Sequence, residues 1–123
     1  MTYITAFAIP AGTSDASGNT TGLKISPAQW FGVSFMAYFS ENTAAGTIQI
    51  QFSNDNPAGQ TEQNFVPTNW ANVPGATATA TVAAGASVVV YPPQGFFGRW
   101  YRITFTRTGG AGTFAVTYCA VTA

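Results

Sequence analysis

Histidine is absent from this chain, cysteine occurs once, and only eight of 123 residues are charged, four basic and four acidic. An ordinary soluble domain carries about a quarter charged residues. Each shortage removes a class of chemistry. Without imidazole there is no Ser-His-Asp type triad and no histidine general base. The single Cys119 can close no internal disulfide and build no thiolate zinc site. It sits in a strand-like stretch, Phe114 to Ala120, with no basic neighbour, and reads as a small core or interface residue rather than a reactive thiol. The four carboxylates, Asp15, Glu41, Asp55 and Glu62, all fall in turn-like segments. A glycosidase needs two of them facing each other across a sugar, and solvated turn residues are the simpler reading. Asn54-Asp55-Asn56 offers oxygens but lacks the spaced acids and closing Glu of a calcium loop. No catalytic residue, cofactor or metal site is therefore expected.

Three of the four cations, Arg99, Arg102 and Arg107, lie in one strand region. Arg99 and Arg102 differ in parity and point to opposite faces, so they form no continuous basic stripe, and direct nucleic-acid binding is not expected. Long apolar runs are missing too. Nothing approaches the roughly eighteen residues of a membrane helix, and residues 1–10 have neither the basic nor the apolar region of a signal peptide. Synthesis in the cytosol, without a membrane span, is the expectation.

What the chain has is aromatic bulk: ten Phe, five Tyr and three Trp, enough large side chains to fill one core without metal or disulfide support. One domain over 1–123 fits this length. Short β-branched and aromatic runs alternate with Gly, Pro, Asn, Asp and Ser clusters, the pattern of an all-β sandwich. Phe31 to Phe39 places Phe31, Val33, Phe35, Ala37 and Phe39 on one face, and Thr47 to Ser53 places Ile48, Ile50 and Phe52 inward with Gln49 and Gln51 outward. A turn at Glu41 to Gly46 is expected to join these two as a hairpin. Gly109 to Gly112 is expected to join a second one, with Tyr101, Ile103 and Phe105 inward against Phe114, Val116 and Tyr118. Thr77 to Val82 reads as an edge or close-packing strand, followed by a turn at Ala83 to Ala86 and the strand Ser87 to Tyr91. With Tyr3 to Ile9 and a short strand at Leu23 to Ser26, the expectation is a two-sheet antiparallel β-sandwich, jelly-roll-like, of about eight strands.

Two stretches break this rhythm: Pro10 to Gly22 and the long segment 54–75. The second carries Phe65, Val66, Trp70 and Val73 and is read as an ordered contact loop. Trp30, Trp70 and Trp100 are open to two readings, sugar-stacking rings or core and interface anchors. Arg102 beside an outward Trp100 is assigned an interface or intramolecular stacking role. Zero net charge gives copies no mutual repulsion, which favours a surface covered by partners; the alternative is a monomer kept soluble by neutral polar residues.

The segments Gln51-Phe52-Ser53-Asn54-Asp55, Asn69-Trp70-Ala71-Asn72-Val73 and Gly98 to Thr113, with its Arg-Trp-Tyr-Arg and Thr-Arg-Thr-Gly-Gly-Ala-Gly-Thr, resemble small β-sandwich structural proteins of tailed bacteriophages. Within that class the chain is most similar to capsid decoration, or cement, proteins. The resemblance covers about half the chain. It implies a non-enzymatic virion protein on the capsid surface, assembled in the host cytoplasm, that clamps neighbouring major capsid subunits and forms a homo-oligomer, a trimer by preference. It further implies an N-terminal arm over 1–13 and partner contacts through Phe65, Trp70, Trp100 and Arg102. The competing expectation is a tail or head-fibre sandwich module that binds glycan.

Overall fold

A computed structural model describes residues 2–14, 19–21, 30–39, 45–61, 63–81, 87–109 and 113–122. Eight strands account for most of them: β1 (Thr2–Ser14), β2 (Asn19–Thr21), β3 (Trp30–Phe39), β4 (Ala45–Ser53), β5 (Ala71–Thr81), β6 (Ser87–Val90), β7 (Trp100–Gly109) and β8 (Thr113–Thr122). They form two four-stranded sheets, sheet I in the order β1-β8-β3-β6 and sheet II in the order β2-β7-β4-β5. Every pairing is antiparallel. This interleaving is the jelly-roll order, so the all-β sandwich of about eight strands is the fold observed.

The alternation of the sequence decides which side chains meet. Phe35 and Ala37 of β3, Val116 of β8, Ile48 and Ile50 of β4, and Ile103 and Phe105 of β7 are all buried in one core between the sheets. Phe105 and Phe114 face each other across the sandwich with ring centroids 4.6 Å apart, close enough for a favourable tilted aromatic pair.

Pairing differs from the two expected hairpins. β3 and β4 lie in opposite sheets, as do β7 and β8, so neither pair is a hairpin within one sheet. Both members of each pair have one apolar face, and stacking those faces across the sandwich buries them as fully as neighbouring strands would. Among the described residues, β4 and β5 are the one pair of consecutive strands that are hydrogen-bonded neighbours, joined by the long segment 54–70. β5 is an edge strand, as expected. The expected strand Tyr3 to Ile9 is part of the longer β1, which also takes in most of the segment 1–13 expected as an arm and pairs with β8 from Thr2 against Thr122 to Ser14 against Thr113. The expected strand at 23–26, the turn at 83–86, the turn residues 41–44 and 110–112, and the carboxylates Asp15, Glu41 and Glu62 lie outside the described residues.

β5 departs from its partner at one place. Between the pairs Gln49 with Thr77 and Gln51 with Asn72, β4 contributes one residue and β5 four. The side-chain amide of Gln49 fills the gap: its Nε2 donates to the carbonyls of Val73 (3.2 Å), Ala76 (3.0 Å) and Ile50 (2.7 Å), and its Oε1 accepts from the Thr77 hydroxyl. The alternation places Gln49 on the outward face, toward solvent or a neutral partner. It is half-buried because a bulge this wide leaves carbonyls that need a donor.

Candidate functional site

The four sequence-predicted contact residues come together on the outer face of sheet II. By strand parity Trp100 and Arg102 point outward from β7, as expected. The segment 54–70, however, folds back over this face, and Trp100 is fully buried beneath it, outside the main core. The expectation that Trp100 meets a partner is thereby corrected: alternation assigns a strand residue to a face, and a loop from elsewhere in the chain has covered that face. Phe65 lies against Trp100 with centroids 5.5 Å apart, and the Arg99 guanidinium lies 4.4 Å over the same ring. The Trp100 Nε1 donates to the Asp55 carbonyl at 3.0 Å.

Asp55 is the staple of this loop rather than a solvated turn residue. Its carboxylate accepts the backbone N–H of Thr68 (2.8 Å) and Asn69 (3.0 Å) and the Asn69 amide (3.0 Å). These bonds, the Asn69 N–H foremost, hold its pKa below the ordinary 3.8 by favouring the charged form. Trp70 donates from Nε1 to the Pro67 carbonyl at 3.1 Å, and the Arg102 guanidinium stacks 4.3 Å over its ring. Arg102 Nε donates to Gln51 Oε1 at 2.8 Å, and partial burial lowers its pKa while leaving it charged. Phe65, Trp70, Trp100 and Arg102 thus form a small second core that fixes the loop. Trp30, the remaining sugar-stacking candidate, opens β3.

The surface that sequence reasoning missed is the outer face of sheet I. None of its four strands contains a charged residue. Registers align Tyr3, Val121 and Gly32 in one row, Thr5, Cys119 and Ser34 in the next, and Phe7, Thr117, Met36 and Val89 in a third. Tyr3, Phe7, Tyr38, Val89 and Tyr91 are all exposed, and Cys119, half-buried among them, belongs to this surface and not to the core. One signal was available in the sequence: β1, β3, β6 and β8 each carry apolar residues at both parities.

At one end of this face the link from β6 to β7 rises beside the sheet and encloses a cleft of about 540 Å³, floored by Ser34, Cys119 and Val121 and flanked by Tyr3, Tyr91 and Phe97. The link is firmly held. Phe96 N–H closes a turn onto the Pro93 carbonyl at 3.1 Å, with Gly95 at φ +84° supplying the left-handed conformation such a turn requires. Phe96 packs edge-on against Phe52 at 4.9 Å, and Gly98 N–H donates to the Tyr101 hydroxyl at 3.0 Å. The chemistry available is neutral: aromatic planes, hydroxyls and one amide. No cluster of three potential metal ligands occurs among the described residues.

No family model matches this chain, and no curated protein matches it in sequence. Solved structures do match. The PBSX exported protein XepA superposes with a TM-score of 0.61 at 18% identity over 98% of this chain, and this chain spans 37% of that protein's length. The SPBc2 prophage-derived protein YomS gives a TM-score of 0.45 at 9% identity, covering 97% of this chain and 92% of that one. A family 11 carbohydrate-binding module from Clostridium thermocellum, solved with a mixed-linked tetrasaccharide, gives 0.45 at 12% identity, covering 98% of this chain and 84% of that one. The likeness to XepA is one of fold: the chain is a jelly-roll β-sandwich of the kind found in that protein.

Proposed function

We propose that this protein is a non-enzymatic structural component of a tailed-phage virion that decorates the capsid and stabilises it by clamping neighbouring major capsid subunits. The observation that carries this reading is the outer face of sheet I, with no charged residue in any of its four strands and with Tyr3, Phe7, Tyr38, Val89 and Tyr91 exposed on it. An apolar face of this extent marks a surface meant to be covered. Burying it across subunit boundaries contributes little per copy, but the contributions sum over a shell. The phage-protein resemblance of the Ser-Asn-Asp, Trp-loop and Arg-Trp segments supports the same reading, and the jelly-roll fold is compatible with it. On this reading the contact surface is sheet I rather than the Trp70 loop. A homo-oligomer, a trimer by preference, brings several such faces to one capsid site, and the working place is the capsid surface.

The test is a gradient of native lysate with quantitative mass spectrometry. Pelleting with large particles at hundreds of copies, in fixed ratio to the major capsid protein, is the expected result. A handful of copies per particle gives the protein a tail role, and residence at the top of the gradient overturns the structural reading. The Phe7→Asp variant, charged on the β1 edge of the face, should detach from particles while remaining folded.

A further inference from the structure

The cleft between sheet I and the β6–β7 link is more than a patch of the apolar face. We infer that it is a binding site for a short neutral oligosaccharide, independent of whether the protein sits on a capsid. The first argument is rigidity. Phe97 is 77% exposed yet sits between two anchored neighbours, Phe96 packed against the core and Gly98 pinned to the Tyr101 hydroxyl. Gly98 is wedged so tightly that an added Cβ would lie 2.9 Å from both Phe52 Cβ and Tyr101 Cε1. An exposed aromatic residue on a backbone held this firmly has no role in the core, and its place beside the cleft is set before any ligand arrives.

The second argument is the chemistry around it. Tyr3 is 68% and Tyr91 63% exposed, and both flank the same cleft. Among the described residues, the hydroxyls of Tyr3, Tyr91 and Ser34 and the amide of Gln94 make no hydrogen bond, so donors and acceptors stand ready at the rim and floor. No charged residue lines the cleft, and a charged ligand would lose its hydration there without a counter-charge. The ligand class that combines a flat apolar face with a rim of hydroxyls, and carries no charge, is a pyranose. The volume, about 540 Å³, lies in the range of small-ligand sites and admits a chain of a few sugar rings.

An extended peptide fits less well. The floor comes from β8 and β3 in mid-sheet, whose backbone groups are already paired with their neighbours, so no free backbone row remains for strand addition. A proline-rich segment needs no such row and is the rival the experiment must separate.

The test titrates the full chain with cellotriose, maltotriose, laminaritriose and tri-N-acetylchitotriose to millimolar concentration, followed by amide and aromatic NMR shifts. At least one trisaccharide should bind, with a dissociation constant on the order of 0.1–1 mM, and shift residues 91–98 together with Ser34 and Cys119. Phe97→Ala and Tyr91→Ala, both at exposed positions, should each weaken it about tenfold or more, while Tyr38→Ala, on the same face outside the cleft, should change it less than about twofold. No response to any of the four sugars overturns the proposal, as does displacement of the shifts to another surface or tight binding of a proline-rich decapeptide in the cleft in their place. Particle copy number of the Phe97→Ala variant, measured in the same gradient, keeps this outcome separate from that of the capsid reading.

Discussion

The indole N–H of Trp100 donates to the main-chain carbonyl of Asp55 at 3.0 Å, linking the start of β7 to a loop 45 residues earlier in the chain. One side chain therefore serves two ends of the second core. Trp100→Phe retains most of the ring but leaves a carbonyl without its donor, an expected loss of about 1–3 kcal/mol. Trp100→Ala removes the ring from beneath Phe65 as well and should cost about 3–5 kcal/mol. Urea unfolding of both variants reads the difference. A negligible loss in Trp100→Phe would mean that the indole N–H contributes nothing.

Arg102 over Trp70 predicts a measurable coupling. Trp70→Ala should leave the sandwich folded and destabilise it by about 2–3 kcal/mol, because the ring is half-buried in the loop and not in the main core. In a double-mutant cycle with Arg102→Ala the pair should show a coupling of about 0.5–1 kcal/mol. A coupling of zero would make the stacking incidental.

Asp55 makes the loop sensitive to acid. Its pKa is lower folded than unfolded, by the Asn69 and Thr68 N–H groups first, so its contribution is complete above the ordinary carboxylate value of 3.8 and is lost as pH falls through the folded value. Stability measured by Trp fluorescence should drop between about pH 4 and pH 2. Asp55→Asn should be less stable at neutral pH and show a shallower acid slope; an unchanged slope would place the acid response in other carboxylates.

Gln49 bridges the bulge of β5 through three backbone carbonyls. Gln49→Ala strands those acceptors at a half-buried site and should cost about 1–3 kcal/mol. Hydrogen exchange should speed up in residues 72–77 ahead of β8. Uniform acceleration across both sheets would show that the bulge is not held separately.

Ala58 sits at φ 54° and Gly59 at φ 87° in the turn closed by Gln60 N–H on the Pro57 carbonyl. A left-handed Ala is strained by about 1 kcal/mol relative to Gly. Ala58→Gly should raise the melting temperature slightly, and a fall would mean that the added freedom of the unfolded chain outweighs the relief.

Faces were legible in the sequence; partners were not. Alternation placed Phe35, Ala37, Ile48, Ile50, Ile103 and Phe105 in the core, where they lie, because a period of two survives any strand order. The same period is blind to whether the next strand is beside or opposite, and for this reason β3 with β4 and β7 with β8 read as hairpins. Trp100 had the right parity and the wrong environment, since no local rule reports a loop arriving from residues 54–70. The apolar outer face of sheet I emerges only when β1, β8, β3 and β6, scattered over the whole chain, are laid side by side.

The pairing of β1 with β8 also sets an order of events during synthesis. A ribosome adds about 5–20 residues per second, so β1 waits until residues 113–122 have been made before the strand that completes its ladder exists. In that interval sheet I lacks its second strand, and β1, without a single charged residue to deter pairing, is a bare edge of the kind that joins other chains. Nascent chains crowded on one message should cross-pair through β1 unless a chaperone shields it, and yield should rise when translation is slowed early and not late.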